Sequence, residues 1–104
     1  MRRWRATFYE VMDTDGSHWG YGSTGELARA CAYEDLVDLY SDGGKREDPA
    51  SALAWVGGRS LIRVTVEFEA DEREARARGW RIVCGLLDMG GEDTPDAFLL
   101  AEVP

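Results

Sequence analysis

From Leu61 to Glu69 the chain reads Leu-Ile-Arg-Val-Thr-Val-Glu-Phe-Glu, and apolar and polar residues alternate without a break from Ile62 onward. Period-two alternation sends Ile62, Val64, Val66 and Phe68 to one face of an extended strand, and Arg63, Thr65, Glu67 and Glu69 to the other. The β-branched content favours that conformation. Such a strand demands a sheet with one apolar and one polar face. It is expected to be the central strand, and the rest of the chain must supply its partners and cover the apolar side.

Trp4 to Met12 reads as another strand, with Trp4, Ala6, Phe8 and Met12 on one face and Thr7, Tyr9 and Val11 on the other. Asp13-Thr14-Asp15-Gly16 supplies a turn, because Asp-Gly tolerates the positive φ that a two-residue hairpin loop requires. With Asp15 and Gly16 as that loop, Met12 falls opposite Trp19 and Glu10 opposite Tyr21. Gly20 and Gly22 then leave room for Tyr9 or for a close backbone approach. Ser23-Thr24-Gly25-Glu26 matches a capping box opening a helix that runs to about Asp42 and stops at Gly43-Gly44. Leu27, Ala28 and Cys31 form one apolar stripe, and Tyr33, Leu36, Val37 and Tyr40 form another nearly opposite, so a kink is expected near Ala32.

Asp48-Pro49 and Gly57-Gly58 bracket a short helix with Leu53 and Val56 facing the core and Trp55 at its margin. Asp71 to Arg78 reads as a turn or two of exposed helix supported by the Glu72–Arg76 and Glu74–Arg78 pairs and closed by Gly79. Trp80 to Leu87 reads as a strand buried on both faces. After a loop over Asp88 to Pro95, residues 97–103 are a strand pairing with 80–87, or a short helix started by Pro95; the strand is preferred. The expectation is a single α+β domain over residues 1–104. Its core is a mainly antiparallel sheet of four or five strands, with two or three helices packed on one face.

The charge balance excludes some functions. With 20 acidic residues against 12 basic and a net charge of −8, the chain lacks the basic footprint that nucleic acid or an anionic membrane requires. It suits a basic protein surface instead. Cys31 and Cys84 lie far apart in apolar stretches and are read as buried reduced thiols. No apolar segment follows Met-Arg-Arg-Trp-Arg and no run approaches the roughly 20 residues a membrane span needs, so a soluble cytoplasmic protein is expected.

Sites with chemistry are few, and no known family's motif residues are recognisable along the chain. Asp13 to His18 begins like a calcium loop, but the sixth and twelfth positions, Gly and Glu in that motif, are His18 and Thr24. Gly20 to Gly25 is a glycine-rich run into a helix start, without the Lys of a phosphate loop. His18 is the one histidine. Ser17 beside it in a strand points to the other face, and no second acid or base follows at a meaningful spacing. No catalytic residue, cofactor or metal ligand set is expected.

Four carboxylates stand out. Glu34, Asp35, Asp38 and Asp42 fall within about a 100° arc of the first helix, without a basic residue among them. Glu34–Asp38 and Asp38–Asp42 are like-charge i,i+4 pairs that cost about 0.2–0.5 kcal/mol each. Glu47 and Asp48 extend the patch. The leading expectation is a small acidic non-enzymatic protein docking on a basic surface, as an inhibitor or nucleic-acid mimic acting on a nucleic-acid-binding protein. Small acidic phage proteins that antagonise nucleases or CRISPR complexes offer an analogy of size and charge only. Two other readings stand beside it. One is a small-ligand or anion-binding module using Trp19, Tyr21, Ser23 and Thr24 in the 18–25 loop. The other is a homodimer, or a subunit of an obligate complex, joined through exposed aromatics.

Overall fold

The strand that organises the molecule is the first one, Arg2–Met12 (β1). A computed structural model describes residues 1–42, 49–89 and 97–104, with only the backbone described for 38–42 and 49–51. Ser60–Ala70 (β3) pairs antiparallel with β1 over all eleven positions, from Arg2 opposite Ala70 to Met12 opposite Ser60. The other edge of β1 is shared. His18–Gly22 (β2) takes its C-terminal half, and Leu99–Glu102 (β4) takes its N-terminal half, with Trp4 opposite Glu102. The alternating stretch expected at the centre is therefore an edge strand, and β1 is central. Alternation reports that one face is buried and says nothing about how many neighbours a strand has.

Three helices complete a single small α+β domain: Gly25–Asp42 (α1), Pro49–Gly57 (α2) and Glu72–Leu86 (α3). They cover both faces of the sheet, where the sequence suggested one. Trp4, Ala6, Phe8 and Phe68 pack under α3 with Trp80, Val83 and Cys84. Val11 and the half-buried Tyr9, Trp19 and Leu61 pack on the opposite side, against Ala28, Ala32 and Leu36 of α1 and Val56 of α2.

The second core exists because of a glycine. The tip of the β1–β2 hairpin closes between Asp13 and Ser17, with Gly16 at φ +86°, and sets Met12 opposite His18 and Val11 opposite Trp19. That register is one residue short of the expected pairing of Met12 with Trp19. A bulge at Gly20, φ +67°, absorbs the extra residue, so that Glu10 does face Tyr21 as expected. The bulge sends Trp19 and Tyr21 to opposite faces. It also leaves Glu10 and Val11, consecutive residues of β1, both buried.

Helix α1 runs through Ala32 as one α-helix, and among its described side chains Ala28, Ala32 and Leu36 form the buried stripe, Tyr40 lying outside them. The two stripes read from the sequence do not compete, because Leu27 is exposed and Cys31 and Tyr33 are half-buried. Small residues win the buried face because the helix sits almost in contact with the β2 backbone. A Cβ on Gly20 would lie 2.4 Å from the Ala32 nitrogen, and one on Gly22 would lie 2.4 Å from that of Ala28. The cap is Thr24, whose Oγ1 accepts from the Leu27 amide at 3.1 Å, and not Ser23. On α2 the buried residues are Ala52 and Val56, whereas Leu53, expected in the core, is 64 % exposed.

The expected strand over 80–87 is helical. Asp71 caps α3 by accepting from the Glu74 amide at 2.8 Å, and the Glu72–Arg76 pair forms as expected at 3.2 Å. The helix then continues through Gly79. It does so because the rings of Phe98 and Phe68 lie on that glycine, 3.1 and 3.6 Å from where a Cβ would be. The residues after α3 return as a strand, which joins β1 rather than 80–87.

Candidate functional site

Among the described residues, two places bring polar groups and open space together. The first lies between α1 and α2. Ala30, Tyr33, Leu53 and Val56 line a groove of about 430 Å³, with Glu26 and Glu34 on the same α1 surface. Those two carboxylates are exposed and stand eight residues apart, about 12 Å along the helix axis. The basic residue of the groove, Arg29, is turned inward. Its Nη1 donates to the carbonyls of Val56 at 2.5 Å and Arg59 at 3.0 Å, which fastens the end of α2 to the start of β3.

The expected acidic ridge borders this groove in part. Glu34 and Asp35 are exposed on α1. Asp38 and Asp42 belong to the same helix, but their side chains lie outside the described residues, as do Glu47 and Asp48 altogether. Glu26 joins the acidic rim, which sequence reading missed because it had assigned this residue to the capping box.

The second place was missed in reading the sequence. Glu10 is 3 % exposed on the α3 side of the sheet, and its Oε2 meets the Nδ1 of His18. The two stand over a cavity of about 480 Å³, lined also by Tyr21, Val64, Leu87 and Met89. Burial pushes the Glu10 carboxyl above the usual glutamate range, and the His18 imidazole offsets part of that rise. A signal did exist in the sequence: Glu10 interrupts the face formed by Trp4, Ala6, Phe8 and Met12. Ser17 takes no part, because its Oγ donates to Asp15 Oδ1 at 2.6 Å and accepts from Trp19 Nε1 at 3.2 Å. Burial raises the Cys31 thiol, which disfavours the thiolate, and Cys84 is a buried cysteine outside any disulfide.

The glycine loop is spent on packing. Thr24 caps α1, Gly20 and Gly22 admit the helix backbone, and Trp19 turns away to meet Trp55 edge-on at 6.0 Å. Of the aromatic pair expected to share a ligand, Tyr21 alone lines the cavity. Among the described residues no group of three or more His, Cys, Asp or Glu is placed to hold a metal, and no helix is long and apolar enough to cross a membrane. The chain matches no protein-family model, and no curated protein or solved structure matches it either.

The Glu10–His18 pair makes a pH-dependent prediction. A carboxyl raised in the folded state contributes stability below its unfolded value, near 4.3, and that contribution is lost as pH rises through the folded value. At pH 7 the buried charge therefore costs more than His18 returns. Glu10→Gln should melt higher than wild type at pH 7, and the gap should close as pH falls below 4. His18→Ala should lose about 1–3 kcal/mol at pH 7 by stranding the carboxylate, and much less at pH 4. Thermal melts of both variants at the two pH values check this, and a pH-independent loss for His18→Ala would refute it.

Proposed function

We propose that this chain is a non-enzymatic acidic binding protein that takes a basic protein surface on the α1–α2 face. The observation that carries the reading is the groove. An apolar trough is flanked by exposed Glu26 and Glu34, while the one cation among its described lining residues, Arg29, is withdrawn to cap α2. A partner presenting an apolar side chain between Lys or Arg residues fits that pattern, the apolar group anchoring and the charges orienting. Nucleic-acid-binding proteins own such surfaces, and occupying one would inhibit it. Action in the cytoplasm belongs to the same proposal.

The test begins with capture of a basic partner from the native host and continues with calorimetry of the purified pair. Glu26→Lys with Glu34→Lys turns two attractions into two repulsions. At about 1.5 kcal/mol or more per desolvated pair, binding should weaken at least a hundredfold, with melting unchanged because both residues are exposed. Affinity should also fall steeply with salt, since exposed charges are screened within about 10 Å at 0.1 M. A double reversal that binds like wild type at low salt would overturn the reading.

A second reading keeps one observation of its own, the Glu10–His18 cavity. There the chain is a small-ligand module, and the buried carboxylate selects a cationic ligand rather than an anion. A thermal-shift screen of amines against wild type and Glu10→Gln separates it from the first.

A further inference from the structure

One edge of the sheet is unusually open. β3 is eleven residues long, pairs with β1 without a register break, and has no strand on its far side among the described residues. Natural edge strands are kept from pairing by shortness, proline, bulges or an inward-pointing charge. β3 has none of these. It contains no Pro or Gly, its charges all lie on the exposed face, and Ile62, Val64 and Val66 stay half-buried along its apolar side.

The order of residues along β3 is also its own complement. An antiparallel pair of identical strands keeps apolar residues facing apolar ones only if the twofold axis passes through a residue, since a one-residue slip exchanges the faces. An axis through Thr65 aligns all eleven residues end to end, Ser60 against Ala70 of a second copy. It sets Val64 against Val66 and Ile62 against Phe68 on one face. On the other it sets Thr65 against Thr65, and Arg63 against Glu67 and Leu61 against Glu69, each twice by symmetry, so that the Arg63–Glu67 pairs carry the complementarity of this face. Arg63 is exposed and has no ion pair shown within its own chain, while Glu67 already takes Arg5 at 3.0 Å and Arg3 at 3.8 Å on its inner side.

We propose that two copies of this chain join through β3, antiparallel about Thr65, so that the two four-stranded sheets become one of eight strands. The new ladder satisfies the outward N–H and C=O groups of both edges. The cross-strand Arg63–Glu67 pairs fix the register. None of the described residues lining the α1–α2 groove belongs to β3, so this inference is independent of the proposed function.

Sedimentation of the wild-type chain should show a dimer at about 100 μM. Arg63→Glu places Glu against Glu67 twice, and Glu67→Arg places Arg against Arg63 twice. Each variant alone should dimerise at least about fourfold more weakly, given roughly 0.2–1 kcal/mol per cross-strand pair and a reversal of sign at both. An equimolar mixture of the two restores both opposite-charge pairs and should recover the dimer. Recovery cannot come from a variant that has failed to fold. A monomeric wild type at that concentration, or a dimer indifferent to both substitutions, would overturn the proposal.

Discussion

Gly20→Ala is expected to cost about 2–5 kcal/mol, a large fraction of the stability of an ordinary domain. Two penalties combine. The backbone there has φ +67°, which costs an L-residue roughly 1–2 kcal/mol. The new methyl would also press on main-chain atoms that cannot swing aside, 2.4 Å from the Ala32 nitrogen and 2.6 Å from the Ala28 carbonyl oxygen, and overpacking of this kind costs about 1–3 kcal/mol. Gly16→Ala is the internal control. Its φ is +86°, but nothing lies within 4 Å of its added Cβ, so only the conformational term remains. Urea unfolding of both variants should place Gly20→Ala well below Gly16→Ala. Equal losses would mean that α1 does not rest on the bulge.

Trp80→Ala should cost about 3–5 kcal/mol, the usual range for emptying a buried aromatic site. Trp80 is the hub of the core beneath α3. It meets Phe8 edge-on at 5.2 Å and Tyr21 at 5.8 Å, and it stacks on Phe98 at 5.5 Å. Removing it unsupports the sheet, α3 and the segment leading into β4 together. Trp80→Phe keeps most of those contacts and should lose less than half as much. Denaturant melts followed by near-ultraviolet circular dichroism measure both. A mild loss for Trp80→Ala would show that α3 is not seated through this residue.

The same tryptophan shows where sequence reading succeeded and where it stopped. Alternation found β1 and β3, and the Asp-Gly turn and the Gly and Pro punctuation bounded the hairpin, α1 and α2 closely, because each of these signals is local. Gly79 was read as the end of a helix since a glycine ordinarily weakens one. It is kept within α3 to admit Phe98, a residue nineteen positions on. With Gly79 taken as a stop, Trp80, Val83 and Cys84 lost their connection to Ala75, and the helical stripe was split. The Glu10–His18 contact was hidden for a related reason. It depends on the one-residue slip at the hairpin tip, and that slip shows only once the bulge is located. Of the candidate surface, exposed Glu34 and Asp35 were legible from helical spacing, whereas the groove needed the position of α2.

β1 pairs with β2, which follows it directly, but also with β3 and β4, which are made much later. Trp4 sits between Phe68 and Glu102, so the N-terminal half of β1 waits for residues far along the chain before its ladders close. The hairpin and α1 are contiguous and can dock through Gly20 and Gly22 while synthesis continues. The Trp4–Ala6–Phe8 face stays uncovered until α3 emerges. At about 5–20 residues per second that interval lasts several seconds. Production of this protein therefore depends on what shelters an apolar N-terminal strand during its own translation. A ribosome-associated chaperone, or a slow stretch of codons after β3, would act on yield without touching the stability of the finished fold.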